Sequence, residues 1–108
     1  MSCIFCKIVK KDIPAEIIKE DENIIAFRDI NPKAPIHILI VPKKHISSLN
    51  ELREEDKELM GQIFLFVKDV AKELKIDKGG YKVSINVGEG GGQEIFHLHV
   101  HLLAEKRQ

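Results

Sequence analysis

His97-Leu98-His99-Val100-His101-Leu102-Leu103 alternates imidazole and aliphatic side chains over seven residues. Alternation with period two is the pattern of a half-buried β-strand, because successive side chains leave a strand on opposite faces. On that reading Phe96, Leu98, Val100 and Leu102 form one apolar face, and Ile95, His97, His99, His101 and Leu103 form the other. Three imidazoles about 7 Å apart on one face are poorly explained by packing. Near neutral pH an imidazole serves as nucleophile, general acid or base, phosphate donor or metal ligand. A lone strand histidine is ordinarily a packed or surface residue, and three in alternation could also form a metal-binding strip. Three of the five histidines of the chain fall in this stretch, which favours chemistry over packing.

Working outward, Gly88-Glu89-Gly90-Gly91-Gly92 delivers the chain to the histidines. Glycine lets a backbone approach an anion closely. The loop leads into a strand and lacks a following Gly-Lys-Ser/Thr, so it is neither a P-loop nor a dinucleotide fingerprint. By itself it would read as a flexible hairpin connection. Residues 81–87 read as a strand with Tyr81, Val83, Ile85 and Val87 facing the core. Residues 54–74 read as a long amphipathic helix, with Leu59, Ile63, Val67, Val70 and Leu74 at steps of three and four. Ser48 to Glu51 has the spacing of a capping box before it, and Gly79-Gly80 is expected to stop it. Residues 36–41 read as a strand ended by Pro42, and residues 17–18 and 24–28 as a hairpin. Residues 3–9 read as a short helical turn with Ile4 and Ile8 on one side. The expected fold is α+β: an antiparallel sheet of about five strands, covered by one long helix, with a short N-terminal helix.

The chain has 108 residues, 44% of them hydrophobic and 31% charged, which suits a single domain over residues 1–108 with one core. Seventeen basic and seventeen acidic residues cancel. No global field then favours nucleic acid or an anionic membrane, so affinity for phosphate must be local. The N-terminal residues do not have the pattern of a secretory leader, and no stretch approaches a membrane span, so a cytoplasmic location is expected. There Cys3 and Cys6 are expected as reduced thiols or metal ligands rather than a disulfide. Cys-x-x-Cys is common zinc spacing, but one pair supplies only two ligands.

His-aliphatic-His-aliphatic-His-aliphatic-aliphatic resembles the signature of the histidine triad (HIT) family of nucleotide hydrolases and transferases. Other segments agree in order: residues 4–8, Ile13-Pro14, residues 26–32, Pro35-Ile36-His37, residues 41–47 and residues 86–93. They look like the Hint branch, the purine nucleoside phosphoramidate hydrolases. The resemblance implies that His99 is the nucleophile at the α-phosphorus and that His101 donates to a phosphate oxygen. It implies phosphate and leaving-group contacts at Asn86 and Gln93, with Gly92 of the glycine loop beside them. Asp29 would accept from the ribose hydroxyls. Ile8, Phe27 and Ile30 would sandwich the purine, with Phe5 packed alongside. Each of these apolar residues reads equally well as plain core. The branch pattern has serine where Glu94 stands, and a carboxylate near phosphate is repulsive unless it turns away or meets a cation.

Bacterial relatives that carry the cysteine pair complete a structural Cys₂His₂ zinc site, which implies His45 and His97 as the remaining ligands here. The family also implies a homodimer, with sheets joined edge to edge and long helices packed across the two-fold axis. Met60, Phe64 and Phe66 lie off the helix stripe and would be exposed in a monomer. The implied activity is hydrolysis of nucleoside 5′-phosphoramidates or acyl-nucleotides. A nucleotide-binding regulatory module with little turnover and a dinucleoside polyphosphate hydrolase are the alternatives.

Overall fold

A computed structural model of the chain describes residues 3–105. Its elements are α1 (Ile4–Val9), β1 (Ile17–Glu20), β2 (Ile24–Arg28), β3 (Ile36–Pro42), α2 (Lys57–Glu73), β4 (Lys82–Ser84) and β5 (Val100–Ala104). The five strands form one antiparallel sheet in the order β1-β2-β3-β5-β4, as the α+β reading expects. No helix among the described residues is long and apolar enough to cross a membrane.

The middle strand dictates the layering. All seven residues of β3 are buried, so both sheet faces are covered there. On one face Ile36, Ile38 and Ile40 join Ile24, Ala26, Val100 and Leu102 beneath Ile63, Phe66, Val67 and Val70 of α2. On the other face Leu39 and Val41 join Ile25 and Phe27 beneath Phe5 and Ile8 of α1. The period-two alternation of β3 thus feeds two cores from one strand.

Phe66 is 5% exposed and belongs to the helix-side core, three residues beyond Ile63 and four before Val70. That spacing puts it on the stripe rather than off it. Phe64 and Leu65 are the large apolar residues α2 leaves in solvent, at 48% and 59% exposure, while Met60 is partly buried.

The ends of α2 also differ from expectation. Ser48 caps a separate 3₁₀ turn, Leu49–Glu51, its Oγ accepting from the Asn50 amide at 3.2 Å. Residues 54–56 form a second 3₁₀ turn, and Lys57 begins the helix. The Asp56 carboxylate accepts from the Arg53 amide at 2.9 Å and from Lys44 Nζ at 2.6 Å, which holds its carboxyl below the usual range. The helix stops before Gly79-Gly80, because Lys75 turns left-handed at φ 60°. The Ile76 amide then reaches back to the Ala71 carbonyl at 3.0 Å, and Ile76 is fully buried. This is a Schellman closure with lysine where glycine is favoured.

The strand expected over residues 81–87 is only Lys82–Ser84. It pairs with Leu103, Leu102 and His101 of β5. Before Val100 the histidine segment turns aside: the Leu98 amide donates to the Ile46 carbonyl, 2.6 Å away. Residues 85–87 therefore lack a neighbour with which to continue the ladder. Val83 faces the helix side but sits at the sheet edge, 39% exposed, while Tyr81 and Ile85 pack on the core.

Lys75→Gly should raise stability by about 0.5–1 kcal/mol, because relief of a left-handed non-glycine residue outweighs the added freedom of the unfolded chain. The urea midpoint should move upward with an unchanged slope.

Candidate active site and metal cluster

β5 begins only at Val100, so His97, at the end of a bend over residues 95–97, and His99 precede the strand. The sidedness of the alternation survives. Leu98, Val100 and Leu102 are buried on one side, and the three imidazoles point to the other. Phe96 departs from the expected apolar face and is 49% exposed, because the chain ahead of the ladder is free to turn it outward.

The backbone assigns the tautomer of each ring. His99 Nδ1 lies 2.8 Å from the His97 carbonyl oxygen, which can only accept. Nδ1 therefore carries the proton, and Nε2 holds a lone pair. His97 Nε2 lies 2.8 Å from the Pro42 carbonyl, so its proton sits there and its lone pair is on Nδ1. The Lys33 amide donates to His37 Nδ1 at 3.1 Å, leaving the His37 proton on Nε2. That Nε2–H faces His101 Nδ1 at 3.0 Å, which must accept, so His101 carries its proton on Nε2.

Burial favours the neutral form of His37, His97 and His101. It lowers the His101 pKa to about 4, with repulsion between an imidazolium here and one at His99 or His37 as the next cause. Burial likewise pushes His37 and His97 down. The Asp29 carboxylate is 3.5 Å from His37 Nε2, a weak contact with a neutral ring, and its Oδ1 accepts from the Asn31 amide at 2.8 Å. Asp29, His37 and His101 are close enough to share a cation. The Lys33 amide argues against one, because it keeps the His37 lone pair on Nδ1 and a proton on Nε2.

Beside these rings lies a cavity of about 760 Å³. Phe5, Ile8 and Phe27 line its apolar end, and Asp29, Asn86, His99 and His101 its polar end. Phe5 stands edge-on to Phe27 at 5.4 Å and to His99 at 5.1 Å between ring centres. The glycine loop closes one side. Gly88 and Gly92 adopt φ 71° and 85°, and a β-carbon on Gly92 would lie 3.5 Å from Asn86 Nδ2.

A second cluster adjoins the first. His97 Nδ1 is 3.4 Å from Cys3 Sγ, 3.6 Å from Cys6 Sγ and 3.1 Å from His45 Nδ1. Cys6 Sγ is 3.3 Å from His45 Nδ1. A tetrahedral ion with bonds of about 2.0–2.3 Å separates its ligands by about 3.3–3.8 Å, so these four donors lie close enough to hold a metal. The His97 tautomer presents a lone pair to that centre. Burial, with the neighbouring Cys3, raises the Cys6 thiol above its ordinary value, a shift that a bound cation would reverse.

The sequence matches the HIT domain family over residues 10–108. It is 47% identical over 102 residues to the protein HitA of Neisseria gonorrhoeae, covering 94% of each chain. The fold superposes on a HIT family hydrolase from Legionella pneumophila with TM-score 0.94 and 46% identity, covering 98% of this chain and 95% of that one. It is also similar to a histidine triad nucleotide-binding protein from Candida albicans, with TM-score 0.86 and 37% identity, covering 94% of this chain and 73% of that one. The chain belongs to the HIT family.

Within this HIT fold most of the sequence-derived site residues converge on the cavity: Phe5, Ile8, Phe27, Asp29, Asn86, Gly92, His99 and His101. Ile30 also lines it but is 86% exposed, a rim residue rather than a buried wall. Gln93 is placed differently. Its Oε1 accepts from the Gly88 amide at 2.9 Å, and its Nε2 donates to the Ser47 and Ile95 carbonyls at 2.8 and 3.0 Å. The side chain is buried and braces the glycine loop from behind. Glu94 lines the cavity and, among the described residues, forms no ion pair. His37 is the site residue to which sequence reasoning attached no task. The available signal was a single polar residue inside an otherwise apolar strand, in phase with Leu39 and Val41.

His101 should stay neutral from pH 8 to about 5.5, its ring ¹⁵N shifts moving only as pH nears 4. Its folded pKa lies below the ordinary value of about 6.5. The unfolded chain therefore takes up the proton first, and this ring's contribution to stability is full above about 6.5 and lost as pH falls toward 4.

Proposed function

We propose that the protein hydrolyses nucleoside 5′-phosphoramidates or acyl-nucleotides to the nucleoside monophosphate through a nucleotidyl-His99 intermediate. The observation that carries this reading is the orientation of His99: an imidazole lining the cavity, its Nδ1–H held by the His97 carbonyl and its Nε2 left without a protein partner among the described residues. A nucleophilic imidazole needs that arrangement without a separate base.

In the first step Nε2 forms a bond to the α-phosphorus, and the bond to the leaving group breaks. The leaving group departs with the electron pair and takes a proton from solvent. In the second step water attacks phosphorus and releases a proton to solvent, the N–P bond breaks, and the pair returns to Nε2. The His101 Nε2–H donates to a non-bridging oxygen as charge gathers there, the contribution that usually dominates in such sites. The relay from the Lys33 amide through His37 keeps that proton on Nε2. Phe5, Ile8, Phe27 and Ile30 would hold the purine, Asp29 the ribose hydroxyls, and Asn86 the phosphate. Gly92 admits the phosphate to the loop, and Gln93 acts by holding the loop in place. Glu94 on the cavity wall repels an anionic leaving group in proportion to its charge, which penalises the polyphosphate of a dinucleoside substrate more than a carboxylate and leaves an amine unpenalised.

The Cys3, Cys6, His45 and His97 set suits zinc, and four protein ligands leave no open position, so the ion's task is structural. The exposed Phe64 and Leu65 on α2 and the short edge strand β4 suit an isologous homodimer with two separate sites.

His99→Asn or His99→Gly should keep nucleotide binding and lose turnover by about 10³-fold or more. Intact mass after quenching with an adenosine phosphoramidate should show one added nucleoside monophosphate in the parent protein and none in the variants. Turnover within about tenfold of the parent would remove His99 as nucleophile. For assembly, Phe64→Glu should convert a species of twice 12.3 kDa to the monomer in sedimentation.

A further inference from the structure

The metal cluster and the cavity share their parts. α1 is six residues long, with Cys3 as its N-cap, and Cys3 and Cys6 supply both thiols of the cluster. The same helix turns Phe5 and Ile8 into the cavity wall. A helix this short has little stability of its own, so its position depends on what grips it. Phe5 stands edge-on to both His97 and His99, at 5.9 and 5.1 Å. His97 is shared more directly. Its Nδ1 belongs to the cluster, its Nε2–H is anchored on Pro42, and its carbonyl holds the proton of His99.

We propose that α1 and His97 couple the two sites, so that zinc in the cluster and a purine nucleotide in the cavity bind with positive cooperativity. The inference rests on the nucleotide reading of the cavity. Its physical basis is ordering. Zinc bonded to two thiolates immobilises α1 and residue 97, and a base against Phe5 and Ile8 immobilises the same helix. Whichever binds first meets the cost of fixing that wall, and the second binds to a wall already fixed. His97 is thereby a positioning residue, acting on the reaction through the grip of its carbonyl on His99.

The test is equilibrium competition for zinc between the full-length loaded protein and a chromophoric chelator, with and without saturating AMP. AMP should raise zinc affinity by about fivefold or more, and linkage requires zinc to raise AMP affinity by the same factor. Calorimetry should accordingly find AMP binding weakened by that factor in Cys3→Ser with Cys6→Ser. Phe5→Leu keeps all four metal ligands and should bring the factor toward one. A zinc that only stabilises the fold would shift the melting temperature and leave both affinities alone. Zinc affinity unchanged by bound AMP overturns the coupling and spares the nucleotide reading. A loaded protein that fails to bind AMP overturns that reading and the coupling with it. A chain that takes up no zinc overturns the coupling through the metal. If the double-serine variant fails to fold, the competition on the parent protein and Phe5→Leu decides.

Discussion

Burial of β3 on both faces is the constraint on which the rest of the structure depends. A strand covered on one side only would need a single partner layer. This one needs two, and they are unlike. α2 covers Ile36, Ile38 and Ile40 with a continuous apolar stripe, which supplies most of the stabilising burial. On the opposite face the short α1 packs over Leu39 and Val41, with Ile13, Ala15 and Ile95 beside it. The area that α1 cannot cover becomes the cavity. His37 and His101 emerge there because they share that face with Leu39, the residue paired with His101.

The chemistry of the cavity follows from backbone groups that can only donate or only accept. The Lys33 amide, the His97 carbonyl and the Pro42 carbonyl between them determine where four imidazole protons sit. No carboxylate is needed to orient the ring of His99. Neutral rings also resolve an electrostatic difficulty, since several imidazolium ions in one buried cluster would repel each other strongly. At His97 burial outweighs the opposing hydrogen bond to Pro42, and burial likewise favours the neutral form of His37 and His101.

The segments around Pro42 to Ser47 and Gln93 to His99 are tied together repeatedly. Pro42 accepts from His97, Ile46 from Leu98, and Ser47 from Gln93. These links replace a regular ladder, and they explain why the histidine run leaves strand geometry before Val100. The departure brings His97 to His45 and to the two thiols, which an extended β5 would have kept apart. The Cys₂His₂ cluster and the placement of His99 beside the cavity both depend on this deviation from the sheet.

By itself the sequence determined what depends on local pattern. Alternation gave the strands, steps of three and four gave α2, and the triad with its flanking segments pointed to the HIT family and to His99, His101 and the Cys-x-x-Cys pair. Local pattern also misled where tertiary contacts intervened. Phe66 reads as off the stripe that it joins, the strand before the glycine loop reads longer than it is, and α2, which ends close to residue 74 as its pattern indicates, is stopped by Lys75 rather than by Gly79-Gly80. Only the tertiary structure decided which nitrogen of each histidine carries the proton. Periodicity treats His97, His99 and His101 alike, because it records spacing and nothing of their partners. Their protons are placed by Pro42, 55 residues from His97, and by His37, 64 residues from His101. Such partners meet only when the sheet has assembled, and so the placement of each ring's proton and lone pair is a property of the fold.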